Sequence, residues 1–127
     1  MEIRRLHSSA SLRVTWQLST SQAIEMQRRL AARVSRKSSG IEPHFIAGVD
    51  ISVRRGEEMA TGSVVVLSYP ELEVVETRVA RGRLDFPYIP GLLSFRELPL
   101  TLAACEQLSI TPDLILVDGQ GIAHPRR

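Results

Sequence analysis

Between positions 23 and 34 the apolar residues Ala23, Ile24, Met26, Leu30, Ala31 and Val34 recur at helical spacing. At 100° per residue they share a face roughly 160° wide, and Glu25, Arg28 and Arg29 fall outside it. The stretch Ser19 to Gln22 has capping-box spacing, so a helix is expected from there to about Arg36. Lys37 to Gly40 ends it, and residues 1 to 18 show no clear period. Phe45 to Val53, "FIAGVDISV", reads as a buried strand. A polar turn, Arg54 to Glu58, leads to "TGSVVVLSY", Thr61 to Tyr69, a second strand. Pro70 and Glu71 make a tight turn, and "LEVVETRVA", Leu72 to Ala80, is a third. Ser94 to Leu108, with Phe95, Leu98, Leu102, Ala103 and Ala104, suits a helix packed on a sheet. Leu114 to Val117, "LILV", is a short continuous apolar run, the pattern of a central strand covered on both faces and parallel to its neighbour.

The short connections make the first three strands an antiparallel meander. A meander, then a helix, then a parallel strand is how a ribonuclease H-like mixed sheet begins, so the fold class is α/β. Other α+β folds share this order. No internal repeat or low-complexity segment appears.

A chain of 127 residues suits one domain with an ordinary core. Its hydrophobic and charged shares, 43% and 24%, are those of a globular protein rather than a disordered one. No apolar run reaches the roughly 18 residues of a membrane span. The single cysteine, Cys105, excludes an internal disulfide and a cysteine-based zinc site, and its helical position reads as small apolar packing. The first twenty residues lack the apolar core of a secretory signal, and a cytoplasmic protein is expected. The net charge of +2 conceals an asymmetry. Residues 1 to 38 carry eight Lys or Arg against Glu2 and Glu25, while the remainder carries eight Arg against twelve Asp or Glu. A basic arm beside an acidic domain fits a polyanion partner held near carboxylates that need metal ions; it also fits a solvated basic helix.

The carboxylates carry the candidate chemistry. Asp50 in "AGVDIS" and Asp118 in "LILVDGQG" each lie within or at the end of an otherwise apolar strand. An ionised carboxylate there is costly unless it is paired, hydrogen-bonded or bound to metal. If the two strands are adjacent, both groups reach one site, and Glu97 at the head of the next helix can supply a third. Converging carboxylates repel one another, and hard divalent ions such as Mg²⁺ or Mn²⁺ remove that conflict. Two such ions roughly 4 Å apart can activate a water and stabilise the leaving oxygen of a phosphodiester. Each position has a plainer reading. Asp50 suits a strand end, and the dipeptide at Asp118 and Gly119 suits a turn. Ser94 and Glu97 have capping-box spacing, and Pro99 allows the helix to start at either Ser94 or Pro99.

Two further stretches stand out. "FPYIPGLLSFRE", residues 86 to 97, brackets Tyr88 and Ile89 between Pro87 and Pro90, and by itself reads equally as a core-packing hairpin or a rigid tool. In "DGQGIAHPRR", Gly119 and Gly121 permit close backbone approach to a ligand. There His124, Arg126 and Arg127 either meet phosphate or are ordinary loop residues.

Taken together, "AGVDIS", "FPYIPGLLSFRE" and "PDLILVDGQGIAHPR", in this order, resemble endonuclease V, the nuclease family that acts on deaminated bases, chiefly deoxyinosine. The resemblance runs from about Ile46 to the last residue. It implies a ribonuclease H-like fold and a monomeric enzyme. It implies Mg²⁺- or Mn²⁺-dependent cleavage of a phosphodiester on the 3′ side of the lesion, one nucleotide beyond it. Asp50, Glu97 and Asp118 match the family's metal-binding acids, and His124 a histidine near its active site. Pro87, Tyr88, Ile89 and Pro90 match its strand-separating wedge. Gly91, Leu93, Gly119 and Gly121 match its pocket for the flipped base, with Arg126 on the nucleic acid beside them.

The expected organisation is a basic helical segment over residues 1–39 and the N-terminal part of the nuclease domain over 40–127. Family members continue past "HPRR" with further strands, helices, a lysine and another acid. The strand ending at Asp118 is therefore expected at an open edge, with the 127-residue chain unstable or inactive by itself. The expected function is DNA repair at deaminated bases. Inosine in RNA, or nucleic-acid binding without catalysis, are the other readings.

Overall fold

The computed structural model describes residues 18–126, apart from 55 and 57. The arginines of the first seventeen residues, residues 55 and 57 of the polar turn, and Arg127 lie outside these. The chain forms helix α1 (Thr20–Ala31), strands β1 (Phe45–Val53), β2 (Met59–Ser68) and β3 (Val74–Arg83), helix α2 (Leu93–Glu106) and strand β4 (Leu114–Val117), then a short 3₁₀ turn at Gly121–Ala123. The four strands make one mixed sheet in the order β3-β2-β1-β4. Neighbours are antiparallel except for the parallel pair β1 and β4. This is the α/β arrangement expected from the chain's own order.

The capping box forms as its spacing predicts. Ser19 accepts the Gln22 N–H, and the Gln22 side chain accepts the Ser19 N–H at 2.9 Å. Helix α1 stops at Ala31, short of the expected Arg36, with Arg28 and Arg29 in its last turn, where cations suit the helix dipole. Its apolar face divides. Ala23 is fully buried, and Ile24 and Met26 pack beside it, whereas Leu30 and Val34 are exposed.

Along β2 the buried residues Ala60, Gly62, Val64 and Val66 alternate with half-buried ones, so one face meets α2. Val64 and Val66 join Ala47, Ala104, Cys105 and Leu108 in the larger core. Burying each such valine contributes roughly 1.5–3 kcal/mol. A second cluster, Ala23, Phe86, Leu92 and Phe95, joins α1, the loop before α2 and the start of α2. Its rings Phe86 and Phe95 are tilted, with centroids 5.8 Å apart.

Two carboxylates pin element ends. Asp113, just before β4, accepts the N–H groups of His44 and Phe45 at 2.8 and 3.0 Å, which holds its pKa down and ties the start of β4 to the start of β1. Buried Glu76 on β3 accepts the N–H groups of Ser109 and Ile110, just past α2, and pairs with Arg78 at 2.8 Å.

One expectation is corrected. The run "LILV" reads as a strand covered on both faces, but three of its four residues are exposed. Leu116 and Val117 are 59% and 63% exposed. An apolar run reports what a strand needs to have covered, not that something covers it.

Candidate active site

The parallel register builds the site. Val49 pairs with Val117, the last pair of the β1–β4 ladder. One step on stand Asp50 and Asp118, on neighbouring strands about 4.8 Å apart. Both residues therefore come to the same end of the sheet. Asp50 is exposed, and one of its oxygens accepts the Ile51 N–H at 2.8 Å.

Glu97 comes from α2. The helix begins at Leu93 with Leu92 as its N-cap and no side-chain cap bond, so the Ser94–Glu97 capping box does not form and Glu97 is released from that role. Pro99 sits inside the helix, where it has no N–H for the ladder, and nearby the Thr101 hydroxyl donates to the Leu98 carbonyl at 3.0 Å. Burial raises the pKa of Glu97 most, and the carboxylates of Asp50 and, more weakly, Asp118 raise it further, against the opposing charge of Arg96. The three acids thus share one electrostatic neighbourhood.

An all-oxygen donor set of this kind suits a hard divalent cation. The acids converge without closing on one point. Among the described residues, no group of three His, Cys, Asp or Glu is close enough to hold a metal ion.

What holds α2 against the sheet lies beneath Glu97. A Cβ at Gly62 would stand 2.5 Å from the Leu100 carbonyl carbon and 2.8 Å from the Thr101 nitrogen, so helix backbone lies directly on strand backbone. Gly82 on β3, paired with Ala60, faces the Leu100 side chain. Sequence reasoning passed over both. A glycine inside a strand pattern is the signal for such an approach.

The loop 86–91 presents Tyr88, 68% exposed, and turns Ile89 inward against the cluster of Ala23, Phe86, Leu92 and Phe95. Of the two large side chains in the expected wedge, Tyr88 and Ile89, Tyr88 is the one at the surface. Pro87 and Pro90 are exposed on either side. Leu93 opens α2, half-buried.

His124 and Arg126 gather at Gly91 rather than at the acids. Gly91 has φ +81°, a conformation that favours glycine. Its carbonyl lies 3.0 Å from the His124 Nε2 and accepts the Arg126 Nη2 at 3.1 Å. It also accepts the side-chain amide of Gln27 at 2.8 Å, a residue the sequence did not single out. Gly119 and Gly121 line a groove of about 700 Å³ between α1, α2 and the last residues, with Leu30, Leu98, Phe95 and Ile122 as apolar walls.

The endonuclease V family model matches residues 28–127. The chain belongs to the endonuclease V family. An endonuclease V of Dehalococcoides mccartyi is 46% identical over 127 residues, covering 100% of this chain and 54% of its own length. The crystal structure of endonuclease V from Streptomyces avermitilis superposes with a TM-score of 0.81 at 39% identity, over 90% of this chain and 51% of that one. A variant of Ciona intestinalis endonuclease V, solved in complex with a 23mer DNA containing an inosine followed by a ribo-adenosine, gives a TM-score of 0.72 at 28% identity. That match covers 87% of this chain and 51% of the other. The chain therefore spans about half the length of the endonuclease V relatives it matches.

Proposed function

We propose that this chain carries the lesion-recognising loop and the first three acids of a nuclease that cuts a phosphodiester 3′ to a deaminated base in DNA. The observation that supports this best is the β1–β4 register. It brings Asp50 and Asp118 to one end of the sheet, within the electrostatic reach of Glu97, which stands on the helix that directly follows the Tyr88 loop. Membership of the endonuclease V family supports the substrate class, as does the inosine-containing DNA bound to the Ciona relative.

Asp50, Asp118 and Glu97 would hold Mg²⁺ or Mn²⁺ once drawn closer together on the ion than they stand without it, the cation's own contribution being neutralisation of charge at the phosphodiester and a lowered pKa for attacking water. The chain's residues do the rest. The pyrrolidine rings of Pro87 and Pro90 restrict the loop, so pushing it against stacked bases orders little new backbone. Tyr88 then supplies the exposed ring that unstacks the duplex. A deaminated base costs less to unpair than a normal one, which gives selectivity before any contact reads the base. Gly119 and Gly121 leave the groove beside Phe95 and Leu98 open to it.

A second reading is supported by one observation: the acids do not close into a metal-holding group among the described residues. In it the chain binds the lesion and does not cut. Nicking of end-labelled duplexes with and without one inosine, in Mg²⁺ or Mn²⁺, separates the two. Inosine-restricted nicking that Asp50→Ala abolishes supports the nuclease. Equal cutting of both duplexes removes base specificity, and full activity in Asp50→Ala removes Asp50 from the site. Inosine-selective binding without nicking selects the second reading, and an inosine-containing RNA in the same assay decides between nucleic acids.

A further inference from the structure

The Gly91 carbonyl is the meeting point of three parts of the chain that are far apart in sequence. Gln27 on α1 reaches it from 64 residues away, and Arg126 from 35. The orientations of these side chains follow from their partners. The Arg126 Nε–H only donates, so the Gln27 atom it meets in a very short contact is the oxygen, and the Gln27 amide nitrogen faces Gly91. The Arg126 backbone N–H also only donates, and it meets the His124 Nδ1 at 3.1 Å. The proton of a neutral His124 ring therefore sits on Nε2 and is donated to the Gly91 carbonyl at 3.0 Å. In that tautomer the 3.4 Å approach of the Gln27 Nε2 to the His124 Nε2 is a contact between two donors aimed at one oxygen. Three donors thus converge on the two lone pairs of a single carbonyl.

That carbonyl belongs to the residue following Pro90. Just beyond it the Leu92 N–H donates to the Ile89 carbonyl at 3.0 Å and closes the turn. The loop is gripped at two points: Ile89 by the Ala23 cluster, and Gly91 by the three donors. Both grips involve α1, where Ala23 and Gln27 lie four residues apart and so on one face. Tyr88, immediately before the first grip, is left outside. A side chain at Gly91 would meet the Arg126 Nη2 at 2.8 Å, so the latch also requires glycine there.

We propose that Gln27 is a positioning residue for lesion recognition: with Arg126 and His124 it latches the Gly91 carbonyl and thereby aims Tyr88. The inference rests on the proposed function for its purpose and on the hydrogen bonds alone for its existence. Two measurements on the full chain keep these apart. The first is hydrogen exchange of the Leu92 amide in wild type, Gln27→Ala and Gln27→Glu. The Glu variant keeps an oxygen for Arg126 and removes the donor to Gly91. Both variants should speed Leu92 exchange about tenfold, the size of one lost hydrogen bond, while Val64 and Val66 in the sheet keep their protection. Equal acceleration everywhere, or none at Leu92, overturns the latch.

The second is the ratio of affinities for an inosine-containing duplex and its unmodified counterpart, measured by fluorescence anisotropy in EDTA. The variants should lose about tenfold of the wild-type preference, with affinity for the unmodified duplex unchanged. A preference kept in full by Gln27→Ala overturns the positioning role. If wild type shows no preference, the proposed function fails, and the role in recognition fails with it. The latch itself still stands or falls by the Leu92 exchange.

Discussion

Glu97 is a carboxyl group held where it is reluctant to ionise. Burial raises its pKa above the ordinary 4.5, and Asp50 and Asp118 add to the effect. A raised acid keeps its proton in the folded state at a pH where the unfolded chain has lost it. Below the unfolded value there is no cost; the cost grows as pH rises and is complete above the folded value. Glu97→Gln should therefore raise Tm at about pH 7, with the gain vanishing below about pH 4, where both states hold the proton. Thermal melts over that range check it, and a gain that does not change with pH would mean that neither burial nor the neighbouring carboxylates hold Glu97 back from ionising. Divalent cation at the same acids should raise the wild-type Tm and have less effect on the variant. Glu76 has the opposite sign. The N–H groups of Ser109 and Ile110, and then Arg78, hold its pKa down. Its stabilisation is present above the unfolded value and is lost as pH falls through the folded one. Glu76→Ala should lower Tm at neutral pH and flatten the acid side of the stability profile; Glu76→Gln, which keeps an acceptor oxygen, should lower Tm less but flatten the profile as fully.

Helix α2 can bring Glu97 to the β1–β4 end only because it lies close against β2. Gly62→Ala places a methyl group within 3 Å of helix backbone, and backbone cannot rotate aside as a side chain can. The helix must shift, at a cost of about 1–3 kcal/mol in urea denaturation. Gly82→Ala meets the Leu100 Cδ2, the end of a flexible side chain, and should cost less. Equal losses would mean that backbone contact is not what makes Gly62 necessary. These glycines also mark where sequence reading ran out. The bounds of β1 and the Ser19 capping box were legible because apolar runs and caps are local signals. Strands β2 and β3 begin and end a few residues from their expected limits, because pairing with a neighbour decides where a strand stops. The Ser94–Glu97 spacing was misleading for a similar reason. Leu92, 1% exposed among Ala23, Phe86 and Phe95, anchors the helix start by packing instead of by a side-chain cap.

The parallel neighbour of β4 was legible across the whole molecule, because a continuous apolar strand after a helix implies one, and its pairing with β1 brings Asp50 and Asp118 to a shared end. The latch on Gly91 was not. Gln27, Gly91, His124 and Arg126 carry no common period, and only the folded chain brings α1 to the end of the sequence. The open edge of β4 was expected, and it has a consequence for handling the protein. Leu114, Leu116 and Val117 are exposed along a strand whose outer side has no partner among the described residues, with Ile122 also exposed just beyond. An apolar strand with free backbone donors and acceptors is a template for another strand. The 127-residue chain should therefore self-associate as its concentration rises. Leu116→Lys, on the same edge, should reduce light scattering severalfold, since an inserted charge is how natural edges avoid pairing. The substitution touches neither core cluster, so stability at low concentration should stay within about 0.5 kcal/mol of wild type. Scattering unchanged by Leu116→Lys would place the association elsewhere on the surface and leave the β4 edge free of that role.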